Sequence, residues 1–333
     1  MESKTGNPDT GNLPLVSICC LTYNHSSYIR DAIEGFLMQL TDFPFEIIIH
    51  DDASTDGTAE IIKEYAEMHS DLIFPILQSE NQYSKKLGRI SARFVWPRIR
   101  GQYIAICEGD DYWTDPLKLQ KQIDGLRMHP ACDICFHSAV RYDALEPDKN
   151  EIKADYGVSQ KIFTTREVIV GEGGFMPTTS IILRKRVIEN LPEWYHKAPV
   201  GDYYLQILGS LNGGALYLGD NMAVYRANNK GSWTERAKSA DFRLNFYLKQ
   251  MEALDQADSY LKNFSTEFNT VKRILLKRIL KDKLIGLKER NKIYYNHIGN
   301  LKFIDRFLWK TVYRNRSVVN SASVVKKLLK SSV

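Results

Sequence analysis

Short apolar runs alternate with amphipathic stretches through the first half of this chain. The runs Leu15–Leu21 (LVSICCL), Phe45–His50 (FEIIIH), Ile73–Leu77, Tyr103–Cys107 (YIAIC) and Ile134–Tyr142 are brief, and several are bounded by turn-forming residues. They read as buried strands. Between them, Ser27–Leu40 places Tyr28, Ile29, Ile33, Phe36, Leu37 and Leu40 at helical spacing, and Thr58–His69 does so with Ile61, Ile62, Tyr65 and Ala66. Ile90–Arg98 and Leu117–Met128 complete the predicted helices of this region. Strands separated by helices imply an α/β fold with a doubly wound, mostly parallel sheet. Ligands of such sheets sit beyond the carboxyl ends of the strands. Three polar clusters fall at those ends: Thr22-Tyr23-Asn24, Asp51-Asp52 and Glu108–Asp111.

Past residue 150 the pattern is less regular. Thr178–Leu183 (TTSIIL) reads as a strand, Asp202–Leu211 as a helix and Ala215–Tyr225 as a strand. From about residue 240 the periodicity is helical to the end. Val271, Ile274, Leu275, Leu284 and Leu287 fit one face, and Leu301, Ile304, Leu308 and Val312 form a second, weaker stripe. No internal repeat is visible.

Composition changes this picture in one respect. At 333 residues, 44% hydrophobic and 26% charged, the chain is ordinary globular material, neither disordered, collagen-like nor a disulfide-stapled mini-protein. Its net charge of +5 is unevenly spread: residues 238–333 hold 21 Lys/Arg against 8 Asp/Glu, about +13, which leaves the remainder near −8. The reading is therefore a flexible polar N-terminus (1–13), an acidic α/β domain (14–237) and a basic, mainly helical C-terminal region (238–333). A basic tail suits phosphate-rich partners such as anionic lipid, or it is the solvated face of a packed helical subdomain. No nucleic-acid-binding module is recognisable, so nucleic acid is not expected as a partner. The lone Cys132-x-x-Cys135 pair lies in a strand-like segment and reads as core packing rather than a zinc site. MESKTGNPDTGNLP has no apolar run of a signal peptide, and no stretch reaches a membrane span. The expected location is cytoplasmic, with possible peripheral attachment to the inner face of a membrane through the tail.

The motifs of several nucleotide enzymes are missing: there is no GxGxxG after a strand, no GxxxxGK[ST], no GxSxG elbow and no HExxH. What remains is carboxylates at strand ends. Glu108, Asp110 and Asp111 crowd three acids into four residues, which repel one another unless a cation or solvent screens them. Hard oxygen ligands suit Mg2+ or Mn2+ and leave room for phosphate oxygens. A solvated acidic turn or a helix cap is the plain alternative. Asp51-Asp52 is surplus to capping the next helix, which Asp56-Gly57-Thr58 already serves. Asp202 is either the N-cap of its helix or a general base that takes a proton from an acceptor hydroxyl. Tyr23, Tyr112 and Trp113 are candidates for stacking on a base or sugar, or ordinary core. His25 and His50 flank the expected pocket without an assigned role.

In combination these segments resemble the family 2 glycosyltransferases, which have the GT-A fold. VSICCLTYN (Val16–Asn24) is similar to the family's opening strand, and IIIHDDASTDGT (Ile47–Thr58) to its V-D-D-G-S-T-D-G-T. GQYIAICEGDDYWTDPLKLQKQ (Gly101–Gln122) is similar to its G-x-Y-I-x-x-L-D-x-D-D segment followed by P-x-K-L. GDYYLQILGSLNGGALYLGDNMAVYR (Gly201–Arg226) is similar to its E-D-Y-x-L-x-x-x-L-x-x-x-G segment leading to Y-R. The likeness covers about residues 14–235. It implies an inverting, metal-dependent transferase that moves a sugar, with UDP-sugar as the expected donor, to a hydroxyl of a glycan or lipid-linked acceptor in surface polysaccharide synthesis. It implies nucleotide contacts at Thr22, Tyr23, Asn24, Asp51, Asp52 and Asp110, a metal at Asp110 and Asp111, and Asp202 as catalytic base. Glu108, Trp113, Arg226, Lys230 and Trp233 are the expected donor, acceptor or diphosphate contacts.

The chain departs from the pattern at Leu21, where a small polar residue is common, and at Glu108, which replaces the usual first Asp. Gly201 replaces an acid, and ANNKGSWT (Ala227–Thr234) replaces a His-containing segment. Arg89 and Arg93 are either phosphate or acceptor contacts or a solvated helix face. Two other functions bear weighing: a nucleotidyltransferase making an NDP-sugar, disfavoured because LTYNHSS has no glycine where such enzymes carry a Gly-rich loop, and a non-catalytic nucleotide-sugar-binding protein.

Overall fold

The computed structural model describes residues 13–310, except 87, 147, 150, 230–232 and 302. The polar residues 1–12, Lys230 and Val312 lie outside the described residues. The chain divides into two compact units, Met1–Glu235 and Arg236–Val333.

The first unit opens with β1 (Val16–Thr22), α1 (Ile29–Leu37), β2 (Phe45–Asp51), α2 (Thr58–Met68) and β3 (Ile73–Leu77). It continues through β4 (Tyr103–Ile106), β5 (Tyr112–Trp113), α3 (Lys118–Met128) and β6 (Ile134–Asp143). β7 (Glu151–Lys153), β8 (Lys161–Phe163), α4 (Thr165–Gly171) and β9 (Ile182–Arg184) follow, then α5 (Arg186–Glu189), α6 (Glu193–Lys197), α7 (Asp202–Ser210) and β10 (Ala215–Ala227). One sheet runs in the order β3-β2-β1-β4-β9-β6-β10-β5. Its long ladders, β1 with β2 and β4, β2 with β3, and β6 with β10, are parallel. The antiparallel pairings span only two or three residues each. The sheet is thus the mostly parallel, doubly wound sheet expected. Its core takes the apolar residues of β1, β2 and β4 together with one face of α1 and α3, among them Ile18, Ile33, Phe36, Ile49, Ile123 and Leu126, all fully buried.

One expectation needs correction, and the structure sharpens others. Thr178–Leu183 does not form one strand: Thr178–Ser180 is a 3-10 turn, and the strand is Ile182–Arg184. That strand runs antiparallel between β4 and β6, so the fourth and fifth apolar runs are not sheet neighbours. Ile90–Arg98 is helical but not an α-helix. A π-helical turn (Ser91–Val95) gives way to a 3-10 turn (Trp96–Arg98), because Pro97 cannot supply the backbone N–H that an α-helix would use. Cys132 and Cys135 are buried and unpaired, as core residues are.

The helix α8 (Trp233–Arg236) spans the division between the units. The second unit then contains α9 (Ala240–Tyr260), α10 (Ser265–Lys281), α11 (Leu287–Asn296) and α12 (Phe303–Leu308). It has a core of its own, in which Leu276, Ile279, Leu280, Ile285, Ile293, Tyr294, Leu301 and Trp309 are buried. Val271 and Leu275 join the buried face, whereas Leu284 and Leu287 are exposed. The expected continuous stripe breaks because α10 ends at Lys281, where Asp282 accepts the Leu284 N–H at 3.0 Å and turns the chain. Lys272 is nearly buried and is held by Asp255 and Asp258 at 2.9 and 3.0 Å. Among the described residues, no helix is long and apolar enough to cross a membrane.

Candidate active site

The carboxyl ends of β1, β2 and β4 lie side by side through their parallel registers. This brings Thr22-Tyr23-Asn24, Asp51-Asp52 and the loop Cys107–Asp111 to one edge. The first two clusters are wired together. Asn24 takes a left-handed backbone (φ 55°), its N–H donates to Ser54 Oγ at 2.8 Å, and its side-chain oxygen accepts the Thr55 N–H at 2.9 Å. The Asp51 carboxylate accepts from the N–H and hydroxyl of Ser54. Asp52, 5% exposed, accepts the Gln82 and Tyr83 N–H groups at 2.8 and 3.0 Å. Neither Asp caps α2. Asp56 serves that end of the helix instead, accepting from the backbone and hydroxyl of Thr58 and from the Ser26 N–H. Those bonds outweigh its partial burial and hold its carboxyl at about 2. Tyr23 is 45% exposed and free to meet a ring, while Thr22 is buried with its hydroxyl unpartnered among the described residues.

The acidic loop is fastened to the same edge. The Gly109 N–H donates to Leu21 O at 2.9 Å, and a Cβ at Gly109 would lie 2.8 Å from Thr22 Cβ. Only a residue without a side chain lets the loop sit that close. β5 follows at once and pairs with Ala223 and Val224 of β10, which sets Tyr225 and Arg226 beside the acids. The Asp111 carboxylate is 1% exposed; one oxygen accepts the Arg226 N–H at 2.8 Å, and the other has no partner among the described residues. Burial first, and repulsion from Asp110 and Glu108 second, raise its carboxyl well above the usual range. Glu108 is pushed up to about 8 by the surrounding protein and by Asp110 and Asp202. Its side chain is reached by solvent, which weakens the desolvation part, so the two neighbouring carboxylates are the firmer cause.

Asp202 is the first residue of α7 rather than its cap, since Gly201 holds the cap position and no side chain caps the helix. Its carboxylate accepts the Thr178 hydroxyl at 3.2 Å and the Tyr203 N–H at 2.8 Å. Its charge reaches Glu108 and Tyr225. Tyr225, which sequence reasoning did not single out as a site residue, is half-buried on β10 next to Arg226, whose N–H binds Asp111. Burial and then Asp111, Glu108, Asp110 and Asp202 raise its phenol. Burial also lowers the His25 imidazole, against the pull of Asp110, Asp56 and Asp51.

One expected contact lies elsewhere. Trp113 is 1% exposed, packs edge-on against Phe36, donates its indole N–H to Thr179 O and carries Lys118 over its ring at 3.9 Å. It is a core residue and meets no ligand. Arg226 stays at the acidic edge: its guanidinium donates to Asp110 O at 3.0 Å, pairs with Asp31 and lies over the Tyr112 ring. Lys230 lies outside the described residues, as does the side chain of Trp233.

Asp110 and Asp111 fit a hard cation in one specific sense. A buried carboxylate oxygen without a partner, facing two further acids, is a group that a divalent ion would satisfy. Among the described residues no set of three or more His, Cys, Asp or Glu side chains is placed to hold an ion alone. An ion here would draw its remaining ligands from phosphate oxygens or water.

The family model of Glycosyl transferase family 2 matches residues 17–191. The uncharacterized protein Rv1520 of Mycobacterium tuberculosis is 37% identical over 249 residues, covering 72% of this chain and 67% of that protein. The putative teichuronic acid biosynthesis glycosyltransferase TuaG of Bacillus subtilis is 32% identical over 138 residues, 41% of this chain and 52% of TuaG. Among solved structures, S. aureus TarS 1–349 in complex with UDP-GlcNAc superposes with a TM-score of 0.59 at 15% identity, over 90% of this chain and 91% of that one. The chain belongs to glycosyl transferase family 2 and has its GT-A-like fold.

Proposed function

With that family membership as premise, we propose that the chain is an inverting, metal-dependent glycosyltransferase. It would transfer a sugar from a nucleotide-sugar donor, with UDP-sugar as first candidate, to a hydroxyl of a glycan or lipid-linked acceptor in surface polysaccharide synthesis. The observation that carries this reading is the acidic loop Glu108–Asp111 fastened at the carboxyl edge of the sheet, to β1 through the Gly109 N–H and to β10 through the Arg226 N–H on Asp111. The UDP-GlcNAc complex of TarS supports the donor class, and the teichuronic acid role named for TuaG supports the acceptor class.

In this reading Tyr23, Asn24 and the Asp51 and Asp52 turns form the nucleotide end. Tyr23 offers an exposed ring, and Asp51 and Asp52 hold the two loops that would border a base and ribose. Asp110 and Asp111 would hold Mg2+ or Mn2+, which when bound offsets the charge on the leaving diphosphate. Asp202 receives the proton from the acceptor hydroxyl at its carboxylate, with Thr178 fixing one oxygen. One carboxylate base is sufficient for direct displacement at the anomeric carbon, without a covalent intermediate. Glu108, open to solvent and repelled by Asp110 and Asp202, borders the sugar and acceptor. Tyr225, half-buried on β10 beside Arg226, would orient the sugar or the acceptor.

The reading also places the protein in the cytoplasm, with its basic second unit against anionic lipid. The exposed Leu284 and Leu287 near the exposed Lys281, Lys283 and Lys288 support this. Flotation of the full chain with phosphatidylglycerol vesicles tests it; absence of binding at low salt rejects it.

The central experiment is a panel of UDP- and GDP-sugars assayed for nucleotide release with Mn2+, Mg2+ or EDTA. Metal-dependent release from one donor is expected, and Asp202→Asn is expected to abolish it while nucleotide affinity stays nearly unchanged. Near-parental turnover in Asp202→Asn rejects the base assignment. Undiminished turnover in EDTA rejects the metal.

A further inference from the structure

Arg89 is half-buried and bonded to the backbone rather than solvated. Its guanidinium donates from Nε to Tyr195 O at 3.0 Å, and from Nη2 to Ala198 O and Val200 O. It also lies over the Tyr195 ring at 4.6 Å. The three carbonyls belong to the end of α6 and the loop that leads into α7, and Val200 stands two residues before Asp202. One charged side chain from the β3–β4 connection therefore fixes the path of the chain into Asp202.

The fit is close on the other side as well. A Cβ at Gly201 would lie 2.6 Å from Arg89 Nη1, 3.0 Å from its Cζ and 3.0 Å from the Tyr195 hydroxyl. The guanidinium thus lies flat against the backbone of the residue that precedes Asp202. This gives a physical reason for glycine at 201. At its other end, the same connection is tied to Asp52 through the Gln82 and Tyr83 N–H groups. The connection is thus held at Gln82 and Tyr83 by Asp52 and at Arg89 by the entry to α7.

We propose that Arg89 is a positioning residue for Asp202, holding the 195–201 segment so that the carboxylate is presented at a fixed place. This rests on the reading of Asp202 as the base. The guanidinium suits this role because it remains charged and its planar fork meets several carbonyls at once, which a lysine ammonium does not reproduce. Loss of these bonds would free the segment and move the base, and displacements of this size lower the chemical step more than ligand binding.

The test uses the full chain and the donor chosen by the panel above. Arg89→Ala should lower nucleotide release at saturating donor at least tenfold, while nucleotide affinity by calorimetry stays within twofold. Added guanidinium ion, at a concentration the parent tolerates, should restore part of that rate, and Arg89→Lys should restore less than the parent arginine. Turnover within twofold of the parent, an equal loss of affinity and turnover, or no recovery with guanidinium in a folded variant each overturns the proposal. Gly201→Ala carries the same test if Arg89→Ala does not fold. Its methyl displaces the guanidinium, so a several-fold loss of turnover at unchanged affinity is expected, and unchanged turnover overturns the proposal. Asp202→Asn run in parallel separates the two ideas. If it retains parental turnover, the base assignment has failed; if it is inactive while Arg89→Ala is active, only the role of Arg89 has failed.

Discussion

Replacing Asp111 by Asn tests whether the acidic loop is strained in the absence of a cation. Among the described residues the carboxylate has one hydrogen bond, from the Arg226 N–H at 2.8 Å, and one buried oxygen without a partner. Asparagine keeps the shape and the first acceptor while removing a charge that Asp110 and Glu108 repel. Relief of an uncompensated buried charge of this kind stabilises by about 1–2 kcal/mol. For a domain of this size that corresponds to about 2–4 °C in Tm per kcal/mol. The pH dependence has a definite sign. The Asp111 carboxyl is raised above its ordinary 3.8, so its stabilising, protonated state is fully present below that value and is lost as pH rises through the folded pKa. The variant and parent should therefore have equal stability near pH 4 and diverge toward pH 8, with the variant ahead. Saturating Mn2+ should reverse the order, because binding at 100 times Kd stabilises the parent by about 2.7 kcal/mol and the variant by much less. Thermal unfolding in EDTA and in Mn2+, at several pH values, reads all three effects. A variant no more stable than the parent at pH 8 in EDTA would refute the claim that this carboxylate is uncompensated.

Three further outcomes follow from the same edge and from the second unit. Gly109→Ala places a methyl 2.8 Å from Thr22 Cβ, so a loss of about 1–3 kcal/mol in stability is expected, with weaker nucleotide affinity by calorimetry; an unchanged Tm contradicts the close approach. Asp52→Ala leaves the Gln82 and Tyr83 N–H groups without their acceptor, which costs about 1–3 kcal/mol by denaturant unfolding and should weaken nucleotide binding in parallel. Trp309, 1% exposed and stacked on Tyr294 at 5.6 Å, should cost about 3–5 kcal/mol when replaced by Ala. A small effect on unfolding would mean that the second unit lacks the core described for it.

The strand-end acids were legible because a buried parallel strand leaves its polar residues at its carboxyl end. Asp51-Asp52 and Glu108–Asp111 needed only the run before them to be located. Their partners were not legible, and the reason is physical. Asp52 bonds to backbone N–H groups thirty residues away, and a backbone group leaves no trace in side-chain identity. Arg89 went unread for the same cause: its acceptors are three carbonyls more than a hundred residues distant, so spacing offers only a cation on a helical stretch. Trp113 misled in the opposite direction. An aromatic residue just after an acidic loop suggests stacking on a ligand, but β5 reverses against β10 within two residues and turns the indole into the core. That reversal also sets Tyr225 and Arg226 against the loop, and Arg226 then spends its guanidinium on Asp110 O and Asp31. The local cation is thereby engaged in holding the loop, with its side chain 11% exposed. Among the described residues the second oxygen of Asp111 gains no hydrogen bond from this arrangement, so the contact that fastens the acidic loop satisfies only half of its carboxylate.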